Sequence, residues 1–256
     1  MKFKKLFKVA AIEFILVITA VFAQGQKMTA EQIIKKAEDK FMGEKTSHGI
    51  MSVNIIRPSW QRKITVKSWS KEKDFSLTLV TAPAKEKGQA FLKRYNELWS
   101  WNPTISRMIK LPPSMMSQGW MGSDYSNDDI LRETSILDDY SQNLLGEEDA
   151  QGYTCYKIEL IPHEDAAVVW GKIITWISKD EYFQMKAEYY DEDDYLIRTM
   201  LASDVKTFDD RKLPSIMEII PEEEEGQKTV VIIESLSFNK PIPESFFSQQ
   251  NMKRIR

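Results

Sequence analysis

Among the 256 residues there is one cysteine and there are two histidines. A lone cysteine excludes an intramolecular disulfide. Cys155 follows Tyr153-Thr154 and precedes the alternating Tyr156, Ile158 and Leu160, so it reads as a small packing group on a strand. His48 and His163 stand apart and form neither an H-x-x-H nor an H-E-x-x-H spacing, which argues against a transition-metal site. The G-x-S-x-G elbow of many hydrolases is missing, and so is any glycine-rich phosphate loop. The acidic runs Asp191–Asp194 and Glu222–Glu225 lack the alternating ligands and the terminal glutamate of a calcium loop, and read as solvated hairpin turns. A net charge of −3 disfavours nucleic acid, whose binding rests on lysine and arginine neutralising phosphate. No catalytic residue, metal or cofactor is therefore expected. The pattern is that of a binding protein and not of an enzyme.

No apolar run reaches the roughly 20 residues needed to span a bilayer as a helix. The run Val9 to Phe22 comes nearest and is interrupted by Glu13. Lys2, Lys4, Lys5 and Lys8 surround its start, and Val21-Phe22-Ala23 puts small residues at −3 and −1 before Gln24. That order predicts a cleaved signal peptide over residues 1–23, the alternative being a membrane anchor for which the run is short. No cysteine follows the cleavage point, so lipidation there is not expected. Cleavage removes four lysines and one glutamate and leaves a more acidic mature chain. Internal repeats, low-complexity tracts and Gly/Ser linkers are absent too, so residues 24–256 are expected to form a single domain.

What is present is mostly strand grammar. Thr29-Ala-Glu-Gln32 is a capping-box pattern opening one amphipathic helix, with Ile33, Ala37 and Phe41 on one side and Gly43 past its end. From about residue 48 the apolar period changes to 2. Ile64 and Val66, then Phe75, Leu77 and Leu79, then Tyr156, Ile158 and Leu160, alternate with polar neighbours, and Val230, Ile232 and Leu236 share a face. Such alternation marks antiparallel strands with one face buried. Turn signals separate them at Arg57-Pro-Ser, Lys71 to Asp74, Asn102-Pro, Asp191 to Asp194, Asp209-Asp-Arg and Glu222 to Gly226. Ten or so strands are predicted in two groups, about 48–111 and about 153–238. A sheet that large must curl.

Between the groups lies a segment of different character. Met108, Met115, Met116, Trp120 and Met121 stand close together among Pro112, Pro113, Gly119 and Gly122, with Trp99 and Trp101 just upstream. Ser126 or Asn127 can cap a short helix carrying Ile130 and Leu131, and Ile136-Leu137 with Leu144-Leu145 suggests another. This excursion is too apolar to lie over the surface. Two readings stand: plain core packing beneath a long loop, or a pliable lid over an apolar cavity, for which methionine and tryptophan are suited. On the second reading Trp99, Trp101, Met108, Met115, Met116, Trp120, Met121, Ile130 and Leu131 are the candidate cavity and lid residues.

The stretch Leu111-Pro-Pro-Ser-Met-Met-Ser-Gln-Gly-Trp-Met-Gly-Ser-Asp-Tyr-Ser-Asn-Asp-Asp129 closely resembles the signature of the bacterial outer membrane lipoprotein-sorting proteins, a LolA-like group. Asn239-Lys-Pro-Ile-Pro-Glu-Ser-Phe-Phe247 resembles the end of the same group, and the order of signal peptide, helix and two strand sets agrees. The resemblance implies a mainly β (α+β) fold: a large curled antiparallel sheet forming an incomplete barrel around an apolar cavity, closed by helices. It also implies a periplasmic carrier of lipoprotein acyl chains or envelope lipids. Its partners would be an inner-membrane permease, ABC-type or other, and an outer-membrane acceptor. A second reading is a lipid- or lipoprotein-sensing accessory subunit that binds without ferrying.

Overall fold

The computed structural model describes residues 28–42, 45–132 and 136–256. The expected signal segment, residues 1–23, and Gly43 lie outside the described residues. Helix α1 (Ala30–Met42) comes first. Its capping box is reciprocal: the Gln32 amide donates to Thr29 Oγ1 at 3.2 Å and the Thr29 amide to Gln32 Oε1 at 3.1 Å.

A first meander follows, with β1 (Thr46–Arg57), β2 (Trp60–Lys71), β3 (Phe75–Ala82), β4 (Ala90–Arg94), β5 (Glu97–Asn102) and β6 (Arg107–Lys110). A linking segment holds α2 (Asn127–Arg132) and α3 (Ile136–Asp139). The second meander comprises β7 (Tyr140–Ala150), β8 (Tyr153–Pro162), β9 (Lys172–Ser178), β10 (Gln184–Tyr190), β11 (Leu196–Phe208), β12 (Arg211–Pro221) and β13 (Lys228–Phe238). Helix α4 (Gln249–Met252) ends the chain.

All pairings are antiparallel and make one 13-stranded sheet in the order β6-β5-β4-β3-β2-β1-β13-β12-β11-β10-β9-β8-β7. The two meanders join in the middle, where β1 lies along β13 with Val53 opposite Val231. The sheet curls but does not close, and β6 and β7 are its edges.

The turns fall where the proline, glycine and acidic clusters predicted them. Strand β7 was not legible, because Leu144-Leu145 suggested a helix there. They lie instead on an edge strand whose residues are largely exposed, so burial imposes no alternation on them. The inserted segment is correspondingly shorter than the sequence suggested and ends at Asp139.

Both faces of the first meander are covered. Val53, Ile55, Ile64, Val66, Val80 and Phe91 point inward to a cluster continued by Ile158, Leu160, Ile173, Ile177, Met200 and Ala202 of the second meander. Ile33 and Ile34 of α1 complete that core. On the outer face Leu77, Leu92 and Trp99 form one cross-strand row, and Leu79, Ala90, Trp101 and Met108 form the next.

The C-terminal segment straps down this outer row. Phe246 packs on Trp69 with ring centroids 5.4 Å apart, and Phe247 on Phe75 at 5.8 Å. Phe247 and Met252 are fully buried. The strap is fastened where Thr46 Oγ1 donates to the Lys240 carbonyl at 2.6 Å and the Asn239 amide to the Thr46 carbonyl at 2.8 Å. Replacing Phe247 with alanine removes the centre of this contact and is expected to lower unfolding free energy by about 3–5 kcal/mol. Glu244→Ala, at a half-exposed ion pair with Arg94, should change it by less than about 1 kcal/mol. Urea melts of the two variants check the difference.

Candidate functional site

Because β6 and β7 are opposite edges of the sheet, residues 111–139 must run from one edge to the other. The described part, residues 111–132 and 136–139, lies across the inner face. Trp120, nearly buried, meets Phe91 edge-on at 5.3 Å, and Met121, Tyr125, Ile130, Ile136 and Leu137 pack on the same inner core. The loop between Gly119 and Ser126 is tight: these two residues form an isolated bridge, and the Trp120 amide donates to the Tyr125 carbonyl at 2.6 Å. A Cβ on Gly119 would stand 2.4 Å from the Ser123 carbonyl oxygen, so this turn requires glycine.

Three arginines tether the crossing. Each stands on an inward register, two residues from a core side chain: Arg57 beside Ile55, Arg62 beside Ile64, Arg198 beside Met200. Arg57 grips Asp124 with both terminal nitrogens, at 2.9 and 3.1 Å. Thr229 Oγ1 donates to the same carboxylate at 2.6 Å. Arg62 donates to the Met121 carbonyl.

Arg198 is buried and forms a two-pronged pair with Asp129 of α2, at 2.7 and 2.8 Å, while also donating to the Asp124 carbonyl at 2.6 Å. Its guanidinium lies over the rings of Tyr189 at 4.2 Å and Trp170 at 4.4 Å. Burial opposes ionisation of Asp129, but Arg198 and the Ser126 donors outweigh it and hold the carboxyl below its ordinary range. Asp129 also closes the capping box of α2, since its amide donates to Ser126 Oγ at 3.1 Å and it accepts from the Ser126 amide at 2.6 Å. One carboxylate thus caps the helix and ties it to the sheet.

Beside this tether lies a cavity of about 160 Å³. Ile34, Ala37 and Phe41 of α1 form its roof, with Tyr125 and Ile136 of the crossing segment. Trp170, Ile173, Ile177, Tyr189, Met200 and Met217 form its walls. The charged groups on its lining are Glu38, Asp128, Asp129, Asp139 and Lys40. Lys40 is engaged by Glu181 at 2.9 Å. Glu38 is the exception: its Oε1 is buried and has no hydrogen-bond partner among the described residues. Burial, then the nearby Asp39 and Asp138 carboxylates, push Glu38 from an ordinary 4.5 up to about 7.

The nine residues singled out from sequence separate into two groups. Trp120 and Met121 fill the inner core, Met116 packs on Leu98 and Leu111, and Ile130 touches both clusters. Met115 is half-buried, and its carbonyl accepts from Asn127 Nδ2 at 2.9 Å. The side chain of Leu131 lies outside the described residues. Trp99, Trp101 and Met108 belong to the outer face, beneath the C-terminal strap, away from the crossing segment. The physical reason is register: Trp99 and Trp101 alternate with inward Leu98 and Ser100, and tryptophan on either face gives the same pattern.

None of the eight whose side chains are described lines the 160 Å³ cavity. Its roof comes largely from α1 and its walls largely from β9–β12, which the sequence marked only as ordinary core. The arginines did carry a signal, a charge in step with an apolar alternation. Cys155 is buried, and burial pushes its thiol up to about 11, in keeping with a packing role.

A family model with the description "-like: Uncharacterized protein" matches residues 72–254. No curated protein sequence matches the chain. Among solved structures, an outer membrane lipoprotein-sorting protein domain from Vibrio parahaemolyticus is similar with a TM-score of 0.79 at 22% identity, covering 88% of this chain and 98% of that one. A DUF1329 family protein from Desulfovibrio piger gives a TM-score of 0.79 at 24% identity, covering 87% and 98%. A LolA superfamily protein from Nitrosomonas europaea gives 0.75 at 23% identity, covering 88% and 99%. The chain belongs to the family of that model, which matches most of its length, and shares its fold with these lipoprotein-sorting and LolA superfamily proteins.

Proposed function

We propose that the protein is a periplasmic carrier that takes acyl chains of lipoproteins or lipids beneath α1 and the crossing segment. It would move them between the inner and outer membranes, receiving them from an inner-membrane permease and passing them to an outer-membrane acceptor. Signal peptide 1–23 and a single domain over 24–256 belong to the same proposal. The observation that carries it is an apolar cavity roofed by a segment held to the sheet at a few discrete polar tethers.

The cavity accepts a benzene-sized group. It lies well below the roughly 300 Å³ at which ligand pockets begin. An acyl chain therefore enters only if the roof moves. Trp120 and Met121 belong to the same continuous inner core as the cavity walls Ile173 and Ile177, so withdrawing them would extend the space under the sheet. Burying a chain is worth roughly 0.8 kcal/mol per CH₂. The apolar surface that the roof gives up offsets part of that gain. This competition keeps cargo binding reversible and makes the role one of binding and transfer, without chemistry.

The direct test is transfer of a fluorescent acyl lipid from donor to acceptor vesicles by purified protein. Net transfer is expected; saturable binding with no transfer would favour the sensing subunit. Trp120→Ala should raise the amount of lipid extracted, whereas Trp99→Ala, under the outer strap, should leave it unchanged. Equal effects of the two would reject the inner crossing as the lid.

Asp129→Asn breaks the tether and leaves Arg198 buried without its counter-charge, at about 3–5 kcal/mol. Hydrogen exchange should then accelerate in α2, and the variant should hold lipid longer than the parent protein.

Glu38 gives the roof a pH dependence. With a folded value of about 7 against an ordinary 4.5, the folded protein retains a proton that the unfolded chain releases. Its contribution to stability is fully present below 4.5 and is lost as pH rises through 7. Glu38→Gln should therefore melt like the parent below that window. Above it the variant should be more stable by on the order of 3 kcal/mol, several degrees in Tm for a chain of this size. Melting curves across the window check the sign.

A further inference from the structure

Of the three arginines that tether the roof, Arg62 alone has no carboxylate within hydrogen-bond reach among the described residues. Arg57 and Arg198 grip theirs at 2.7 to 3.1 Å. Arg62 Nη1 stands 3.7 Å from Glu86 Oε1, an ion pair without a hydrogen bond. Its Nη2 donates to the Met121 carbonyl of the roof. Glu86, in the loop between β3 and β4, is 8% exposed, and its Oε2 is buried with no partner among the described residues. The same holds for Arg62 Nε. One loose pair thus carries an unused donor on one member and an unused acceptor on the other. Both two-pronged grips of a guanidinium, end-on and side-on, use Nη2, the nitrogen that Met121 holds. The roof therefore sets how Arg62 is turned.

The seated turn is itself unfavourable in two respects. Met121 stands at φ 51° and ψ 25°, the left-handed region that L-residues with bulky side chains avoid. Trp120 Nε1 is buried with no partner among the described residues. Relaxing Met121 to ordinary backbone values would turn its carbonyl away from Arg62.

We infer that Arg62 is a two-position switch: it holds the Met121 carbonyl when the roof is seated and closes a forked pair with Glu86 when the roof lifts. The inference rests on the movable roof of the carrier reading and names the group that receives the freed tether. Asp124 and Asp129 belong to the crossing segment and leave with it. Glu86 belongs to the sheet side, in a loop closed by its own amide on the Pro83 carbonyl at 3.1 Å and by the Gln89 amide on the Glu86 carbonyl at 3.0 Å. Lifting the roof strips Arg57 and Arg198 of their partners but completes Arg62. The lifted roof is then a defined second state and not only a loss of contacts.

Glu86→Gln keeps the shape of the carboxyl and cannot form the charged fork. Hydrogen exchange at the Trp120, Ser123 and Asp124 amides reads the lifting, since they donate to the Tyr125 carbonyl, the Trp120 carbonyl and Thr229 Oγ1. The switch predicts exchange about tenfold slower at these amides in the full-length variant, and less fluorescent lipid extracted. A Glu86 that only steadied Arg62 beneath the seated roof would give the opposite sign. Glu86→Asp keeps the charge, shortens the reach and should also slow exchange, so the prediction remains open to test where the glutamine variant folds poorly. Adding Arg62→Met to Glu86→Gln removes the seated bond as well and should bring exchange back to the parent rate or above it.

Unchanged or faster exchange in both Glu86 variants overturns the switch, and it does so alone where the parent protein still transfers lipid. Slower exchange in a protein that transfers no lipid leaves the switch standing and overturns the carrier reading.

Discussion

The antiparallel pairing of β1 with β13 governs the rest of the molecule. It places the first and last strands of the sheet side by side at its centre, with Val53 opposite Val231 and Met51 opposite Ile233. Two meanders then grow outward in opposite directions, and the free edges fall to β6 and β7, which are neighbours in sequence. The chain between them has no short route. It must cross the curl, and the described residues of 111–139 do so on the inside, where Trp120 is buried and Met116 and Met121 are half-buried. A roof over the inner face is thus a consequence of topology. A sheet paired in simple sequence order would need none.

How that roof is attached decides what it can do. Its apolar contacts with the sheet are nonspecific in direction, and methionine repacks readily. The tethers are directional: two forked arginine–carboxylate pairs and a carbonyl held by Arg62. A buried pair of this kind adds little net stability compared with an apolar contact of equal volume. It does define one seated position, because the fork aligns only there. The arrangement resembles a catch: weak as a source of stability, strict about geometry, and costly to leave half made.

Much of this was readable in the residues, and the remainder was hidden for definite reasons. The period-2 alternation of Ile64/Val66, Phe75/Leu77/Leu79 and Ile158/Leu160 located strands correctly, as the capping box located α1. Alternation carries a period and no sign, however. Ile64 and Val66 face the cavity side, while Phe75, Leu77 and Leu79 face the C-terminal strap, and nothing local distinguishes them. Trp99 and Trp101 were assigned to the lid on the same ambiguity. Strand β7 lacked alternation because an exposed edge is under no pressure to show it. The tether Arg198–Asp129 joins residues 69 apart, and only the oddity of an arginine in step with Met200 and Ala202 announced it.

The small volume of the seated cavity bears directly on how a carrier of this design would let go. A large preformed pocket would take up acyl chains at roughly 0.8 kcal/mol per CH₂, and a chain of ordinary length would not leave on any useful timescale. Here each increment of cargo burial would displace apolar surface of the roof that was itself buried. Net affinity is the difference between two similar quantities, and it can be small even when each is large. The tethers would add a threshold to that difference, since cargo would have to break the forks before gaining the space beneath them. A membrane partner need not extract the chain by force. It need only favour the seated roof, because reforming the Arg57 and Arg198 pairs and returning Trp120 to Phe91 closes the volume that the chain had occupied. The same residues that admit the cargo would then expel it.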